Sequence, residues 1–356
     1  MLSTGRYIRF VVIALGLLAL FIFLQWLVKS SINVVFLLFA GLLFAIFIRG
    51  LSRFIFDRFP VIPESVGITI TLLFLFTMFL AFFILLVPQL TEQMPKLVEE
   101  LSKAQNLLKE KSADFRWFGD FIQSNNDTVA NFGQELTSKV FGVFAGTFGV
   151  ITSLFVVFFI GLYLCFAPYS YLAGIFALVP TEWHKRTDEI VYALDYTLSH
   201  WLIGRFVGML MVSVLSYVGL LILGVPLPLN LAVLAGILTF VPNVGPVISA
   251  IPAILLGYLV TPATALYVTL LYLGIQGVES YLVTPLIQQR QISLPPVLML
   301  VAQVVFANIY GFLGLLLATP LTAVAIVLVK MLYIEDVLGK TTDVHSSGSK
   351  MDRIKG

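Results

Sequence analysis

The chain has 356 residues, of which 59% are hydrophobic and 11% charged, against about 45–50% and about 25% in soluble domains. So few charges cannot coat a water-exposed surface, and a net charge of +2 with dispersed Lys and Arg excludes a nucleic-acid stripe or a polybasic lipid patch. Lipid is therefore the main solvent, and the single cysteine, Cys165 inside an apolar run, packs as a small hydrophobe and forms no intramolecular disulfide.

In chain order, residues 10–28 follow Arg6 and Arg9 and superficially resemble a secretion signal. The run is long for one and Gln25-Trp26-Leu27-Val28-Lys29 contains no small-x-small cleavage site, so the expectation is a retained first span. Further spans are expected at 32–48, 66–87, 140–167, 202–223 and 262–287, each about as long as a hydrocarbon core requires. Arg6 and Arg9 place the N-terminus inside. Arg49, Arg53 and Arg58 after the second span, and Lys185, Arg186 and Arg205 between the fourth and fifth, mark cytoplasmic loops.

Residues 88–139 then fall outside the membrane. Leu90, Met94, Leu97, Leu101, Ala104 and Leu108 repeat at alternating spacings of four and three, the seam of a coiled coil or helical hairpin, and a second short helix carries Val129, Phe132, Leu136 and Val140. This insert fits either a cap on its own protomer or a subunit contact, and a homo-oligomer is the expected assembly. Between Pro180 and Trp201, the residues Trp183, Ile190, Val191, Leu194, Leu198 and Trp201 share one helical face, which predicts a helix lying in the cytoplasmic interface.

Two apolar stretches, 231–260 and 296–329, do not fit simple crossings. The first is about 30 residues, while two crossings and a turn need roughly 40, and it breaks at Phe240-Val241-Pro242-Asn243-Val244-Gly245-Pro246. The second breaks at Tyr310-Gly311-Phe312-Leu313-Gly314 and continues through Leu317-Ala318-Thr319-Pro320-Leu321. Each follows a span and a proline-containing linker, and in each a glycine and then a proline recur after the break, Gly245 with Pro252 and Gly314 with Pro320. Opposite sidedness would make them an inverted repeat, whose interrupted helices form a site near the midplane. The alternative is a pair of proline kinks in packing helices.

Gln276, Glu279 and Ser280 share a helix face, and Glu279 is the only carboxylate in that apolar run. It suits a substrate- or ion-linked role or, lying off-centre, an interfacial anchor. Asn243, Gln303, Asn308 and Thr319 are the other polar groups at the breaks. Each is suited either to a solute or to freed backbone groups. Gly339-Lys340-Thr341 lacks the glycine that a phosphate-binding loop needs five positions earlier, where Ile334 stands. With only His184, His200 and His345, and neither a His-Glu-x-x-His helix nor a Gly-x-Ser-x-Gly turn, metal-dependent and serine-triad chemistry lack their residues, and no catalytic residue or cofactor is expected.

Leu223-Gly224-Val225-Pro226, the run 240–246 with Ile251-Pro252, Gln276 with Glu279 and Pro285, Leu294-Pro295-Pro296, Gly311-Phe312-Leu313-Gly314 and Ala318-Thr319-Pro320-Leu321 together resemble the autoinducer-2 exporter family of bacterial permeases. The resemblance implies an inner-membrane transporter with cytoplasmic termini, linked to export of autoinducer-2 or to sodium/proton antiport. Arg205 departs from it, since a neutral polar residue is more usual there.

The expected fold is an all-α polytopic membrane protein with six full transmembrane helices, two re-entrant helical hairpins arranged as an inverted repeat, and an extracytoplasmic amphipathic insert. The chain divides into N-terminal spans (1–87), the insert (88–139), a fourth span with the interfacial connector (140–201), a transport core (202–334) and a cytoplasmic polar tail (335–356). The expected function is a secondary transporter of a small polar solute, with proton or sodium as coupling ion. A passive channel or membrane scaffold is the competing class. Candidate site residues are Pro242, Asn243, Gly245 and Pro246 at the first break, Gln303, Asn308, Gly311, Gly314, Thr319 and Pro320 at the second, and Gln276 and Glu279 between them.

Overall fold

The computed structural model describes residues 33–56, 62–85, 147–283 and 295–341, with isolated positions between 88 and 103. The expected first span, the heptad seam, the second helix of the insert and the end of the tail lie outside the described residues. Among the described residues there is no strand.

The helices are α1 (Asn33–Phe56), α2 (Glu64–Leu85), α3 (Thr147–Phe166), α4 (Pro168–Ala177) and α5 (His184–Ile222). They are followed by α6 (Pro228–Leu238), α7 (Val244–Val260), α8 (Pro262–Val278) and α9 (Pro296–Leu328). By length and composition, four described helices are apolar enough to cross a membrane, or five if the bent pair α3–α4 is one span. Ile70, Leu73, Phe74, Phe76 and Phe79 of α2 are all exposed. A helix apolar around its whole circumference is a membrane helix when no protein covers it. The protein is an all-α membrane protein.

α1, α2 and α3 pack around Ala45, Ile48, Ile68 and Cys165. The close crossing of α1 and α3 depends on small residues, as in membrane bundles generally: a side chain at Gly161 would meet the Phe44 ring and the Gly41 carbonyl. At one end of this bundle, Arg49 donates to the Cys165 carbonyl at 3.0 Å and pairs with Glu64 at 2.6 Å.

α3 and α4 meet at 83°. Pro168 has no N–H to continue the ladder and biases Ala167 away from helical backbone, and Ala167 has φ −126° and ψ 50°.

A single 39-residue helix, α5, runs where the sequence places an interfacial helix and then a separate span. No Gly or Pro interrupts it between His184 and Ile203, and its length is about 58 Å at 1.5 Å per residue, well beyond one hydrocarbon core. Its first half packs on protein: Ile190, Ala193 and Leu194 lie against Val327 and Met331. Arg53 pairs with Asp195 at 2.6 Å. Arg186 pairs with Glu189, Glu335 and Asp336 and donates to the Met331 carbonyl at 2.7 Å.

α6 and α7 form a reversal at 239–243. Asn243 sits at φ 64°, ψ −46°, and the Val244 N–H donates to the Pro242 carbonyl at 2.7 Å, a γ-turn with positive φ. Such a conformation in a residue with a Cβ stores of order 1–3 kcal/mol. α6 has 11 residues, about 16 Å, too short to cross.

α9 is broken at Gly311, which has φ 64°, ψ −144°, a conformation open essentially to glycine alone. Gln303 and Thr319 are in hydrogen-bond contact at 3.3 Å. Sixteen positions of straight helix would separate them by about 24 Å. The chain therefore turns back at Gly311, and α9 is two antiparallel arms.

The two turns share a packing detail. A side chain at Gly245 would collide with the carbonyl of Leu238, and one at Gly314 with the carbonyl of Phe306. Each of those carbonyls lies five residues before its turn residue, Asn243 or Gly311. Replacing either Gly245 or Gly314 by Val is expected to destabilise the protein by at least about 1–3 kcal/mol through overpacking, lowering the melting temperature in detergent. Gly174→Ala, where an added Cβ meets nothing within 4 Å, serves as the neutral comparison.

Candidate functional site

Gln303 ties the first turn to α9. It is 1% exposed, and its Nε2 donates to the Pro242 carbonyl at 3.3 Å and to Thr319 Oγ1 at 3.3 Å. One amide thus joins the tip of the α6–α7 reversal to both arms of α9. Pro242 lacks an N–H of its own, and its carbonyl receives both this bond and the γ-turn bond.

An aromatic residue precedes each tip and packs edge-on against an aromatic from another helix. Phe240 meets Trp201 of α5 with ring centroids 5.7 Å apart at 77°, and Tyr310 meets Phe36 of α1 at 4.8 Å and 83°. These rings belong to one cluster with Leu43, Leu198, Leu202, Leu317 and Ala323. The turns are set in protein on these sides.

A second polar group lies between α5 and α8. Arg205 is one helical turn beyond Trp201 on the same face of α5, and its Nη1 pairs with Glu279 Oε1 at 3.1 Å, with 16% and 7% of the two side chains exposed. Gln276 Nε2 donates to Glu279 Oε2 at 3.1 Å and makes a longer contact to Ser280 Oγ at 3.4 Å. The carboxylate lies close to α5 at Gly208, where an added Cβ would sit 3.6 Å from Oε1 in ordinary van der Waals contact. At Glu279 the α8 ladder widens into a π-helical turn over Glu279–Val283, a local irregularity often found at functional sites.

The structure brings Pro242, Gln303 and Thr319 into direct contact and Gln276 against Glu279, while Gly245, Gly314 and Pro320 are buried beside the turns. Pro246 is half-buried. Asn243, Asn308 and Gly311 are exposed, and the Asn243 side chain makes no cap hydrogen bond. Trp201 escapes sequence reasoning because an aromatic on an apolar helix has no distinguishing signal. The Arg205–Glu279 pair spans 74 positions. Its signal was an arginine just inside an apolar run, where a charge needs a partner.

The profile described as AI-2E family transporter matches residues 11–334. The chain belongs to the AI-2E family of transporters. Similar proteins are "Putative transport protein YueF" of Bacillus subtilis, 25% identical over 331 residues that cover 86% of this chain and 89% of the relative, and "Putative transport protein MT0215" of Mycobacterium tuberculosis, 25% identical over 271 residues covering 74% and 73%. A "Putative transport protein" of Thermotoga maritima is 23% identical over 309 residues covering 86% and 92%. These AI-2E relatives are named for transport and not for an enzymatic reaction, and the membrane-helical architecture agrees with that family.

Removing one partner of a buried ion pair leaves a charge without compensation, at about 3–5 kcal/mol. Arg205→Gln and Glu279→Gln are each expected to lower stability in detergent. The double substitution should cost less than the sum, with a coupling of about 1–3 kcal/mol in the cycle. Additivity within a few tenths would show that the pair does not interact.

Proposed function

We propose that the protein is a secondary transporter whose two hairpins, α6–α7 and α9, meet around a small polar solute, as opposed halves of an inverted repeat. The observation that carries this reading is the Gln303 amide, buried at 1% exposure and bonded to Pro242 and Thr319. Interrupted helices deep in a membrane protein are tolerated where they are buried in protein or line a wet cavity, and paired interruptions are the hallmark of transporter sites. The shared geometry of the turns, with positive φ at Asn243 and Gly311 and a glycine pressed on the carbonyl five residues upstream of each, supports a repeated unit. The family's description adds autoinducer-2 as one candidate solute, and the resemblance read from the sequence adds cation/proton exchange as another. Family membership supports a bacterial inner membrane, and the basic residues flanking the spans support cytoplasmic termini.

Counterflow in proteoliposomes separates a carrier from a passive channel or scaffold. Trapped unlabelled solute should stimulate entry of labelled solute, and Gln303→Leu should lower that exchange at least tenfold while the protein still inserts. Uptake that is linear in concentration and indifferent to the far side would identify a channel.

A further inference from the structure

We infer that Trp201 and Gln303 together form a binding subsite for an uncharged solute bearing a hydroxyl or primary amide, a proposal that rests on the transporter reading above. Two buried polar atoms flank the first turn without a hydrogen-bond partner: the indole Nε1 of Trp201, a residue 3% exposed, and Oε1 of Gln303, 1% exposed. Buried polar side-chain atoms in folded proteins are overwhelmingly partnered, and each exception asks for an explanation. Both residues are anchored by their other contacts. The Trp201 ring is held edge-on to Phe240, and the Gln303 Nε2 is engaged by Pro242 and Thr319.

The two atoms differ in kind. An indole N–H only donates and an amide carbonyl only accepts, so a group that satisfies both offers an acceptor to one and a donor to the other. A hydroxyl or a carboxamide does so; a simple cation or anion does not.

Charge points the same way. Residues 228–260 and 296–328, which contain both turns, include no Asp, Glu, Lys, Arg or His. An ion taken up between them would be buried without a counter-charge, which is strongly unfavourable. The neighbouring charges, Arg205 and Glu279, already pair with each other. The subsite therefore offers no charged side chain to an ion and reads hydrogen-bond pattern instead. This separates the neutral-solute candidate from cation exchange at this position.

The test is quenching of a variant whose only tryptophan is Trp201, with Trp26, Trp117 and Trp183 changed to Phe, in the full chain reconstituted in nanodiscs. The probes are acrylamide, a neutral carboxamide, and the ions iodide and caesium. Acrylamide is expected to quench Trp201 severalfold more than either ion, and severalfold more than it quenches a lone lipid-facing tryptophan introduced as Phe74→Trp. Gln303→Leu should reduce acrylamide quenching to the Phe74→Trp level. Gln303→Glu keeps the shape but adds a charge, and should raise caesium quenching. Equal quenching by an ion and by acrylamide, or a Trp201 that acrylamide reaches no better than the lipid-facing control, would overturn the proposal. Quenching is an equilibrium measurement without transport. Selective quenching without counterflow would uphold the subsite and sink the carrier, and counterflow without quenching would do the reverse.

Discussion

Backbone that leaves a helix frees groups that need new hydrogen-bond partners, and that constraint organises the architecture around the two turns. At the first, tight bonds absorb most of the freed groups: Val241 to Leu238, Val244 to Pro242 and Gly245 to Val241. At the second, a conformation available to glycine turns the chain back at Gly311. What local bonding does not supply is a connection between the first turn and the arms of α9, and the Gln303 amide provides it. The close glycine contacts follow, because arms that must return along themselves can approach only where a Cβ is missing.

Charge is distributed by the same logic. Arg49, Arg53 and Arg186 sit near helix ends, each in contact with a carboxylate from another element. The Arg49 and Arg53 pairs are partly exposed and contribute little to stability individually, about 0–1 kcal/mol, while Arg186–Glu335 is as buried as Arg205–Glu279; all of them fix which helix ends lie together. Arg186 reaches the far end of α9, so the first half of α5 and the second hairpin are anchored at a common point. Arg205 and Glu279 are the exception, an ion pair set among apolar helices, where each is tolerable because the other is there.

The turns were legible because proline, asparagine and glycine interrupt otherwise unbroken apolar sequence, and only a few conformations suit such a cluster. Gln303 stood out as a polar residue in an apolar arm, although its alternative role as a partner for backbone was also real: it bonds the Pro242 carbonyl. Continuity of α5 was less legible, since its charged first half and apolar second half read as two objects although nothing between them breaks a helix. The expected span 140–167 ends at the bend, while the short helix after Pro168 was not anticipated. Trp201 and the pairing of Arg205 with Glu279 depend on contacts between distant segments, which one-dimensional periodicity does not encode.

The uncharged character of both hairpins has an electrical consequence. Moving an elementary charge through a membrane potential of about 100 mV involves about 2.3 kcal/mol, which is how voltage acts on proteins that carry charges on mobile segments. Residues 228–260 and 296–328 carry none. The field across the bilayer therefore exerts no net force on the side chains of either hairpin, and rearranging them with a neutral solute between them moves no charge. Any voltage dependence would have to enter through charges outside these two segments.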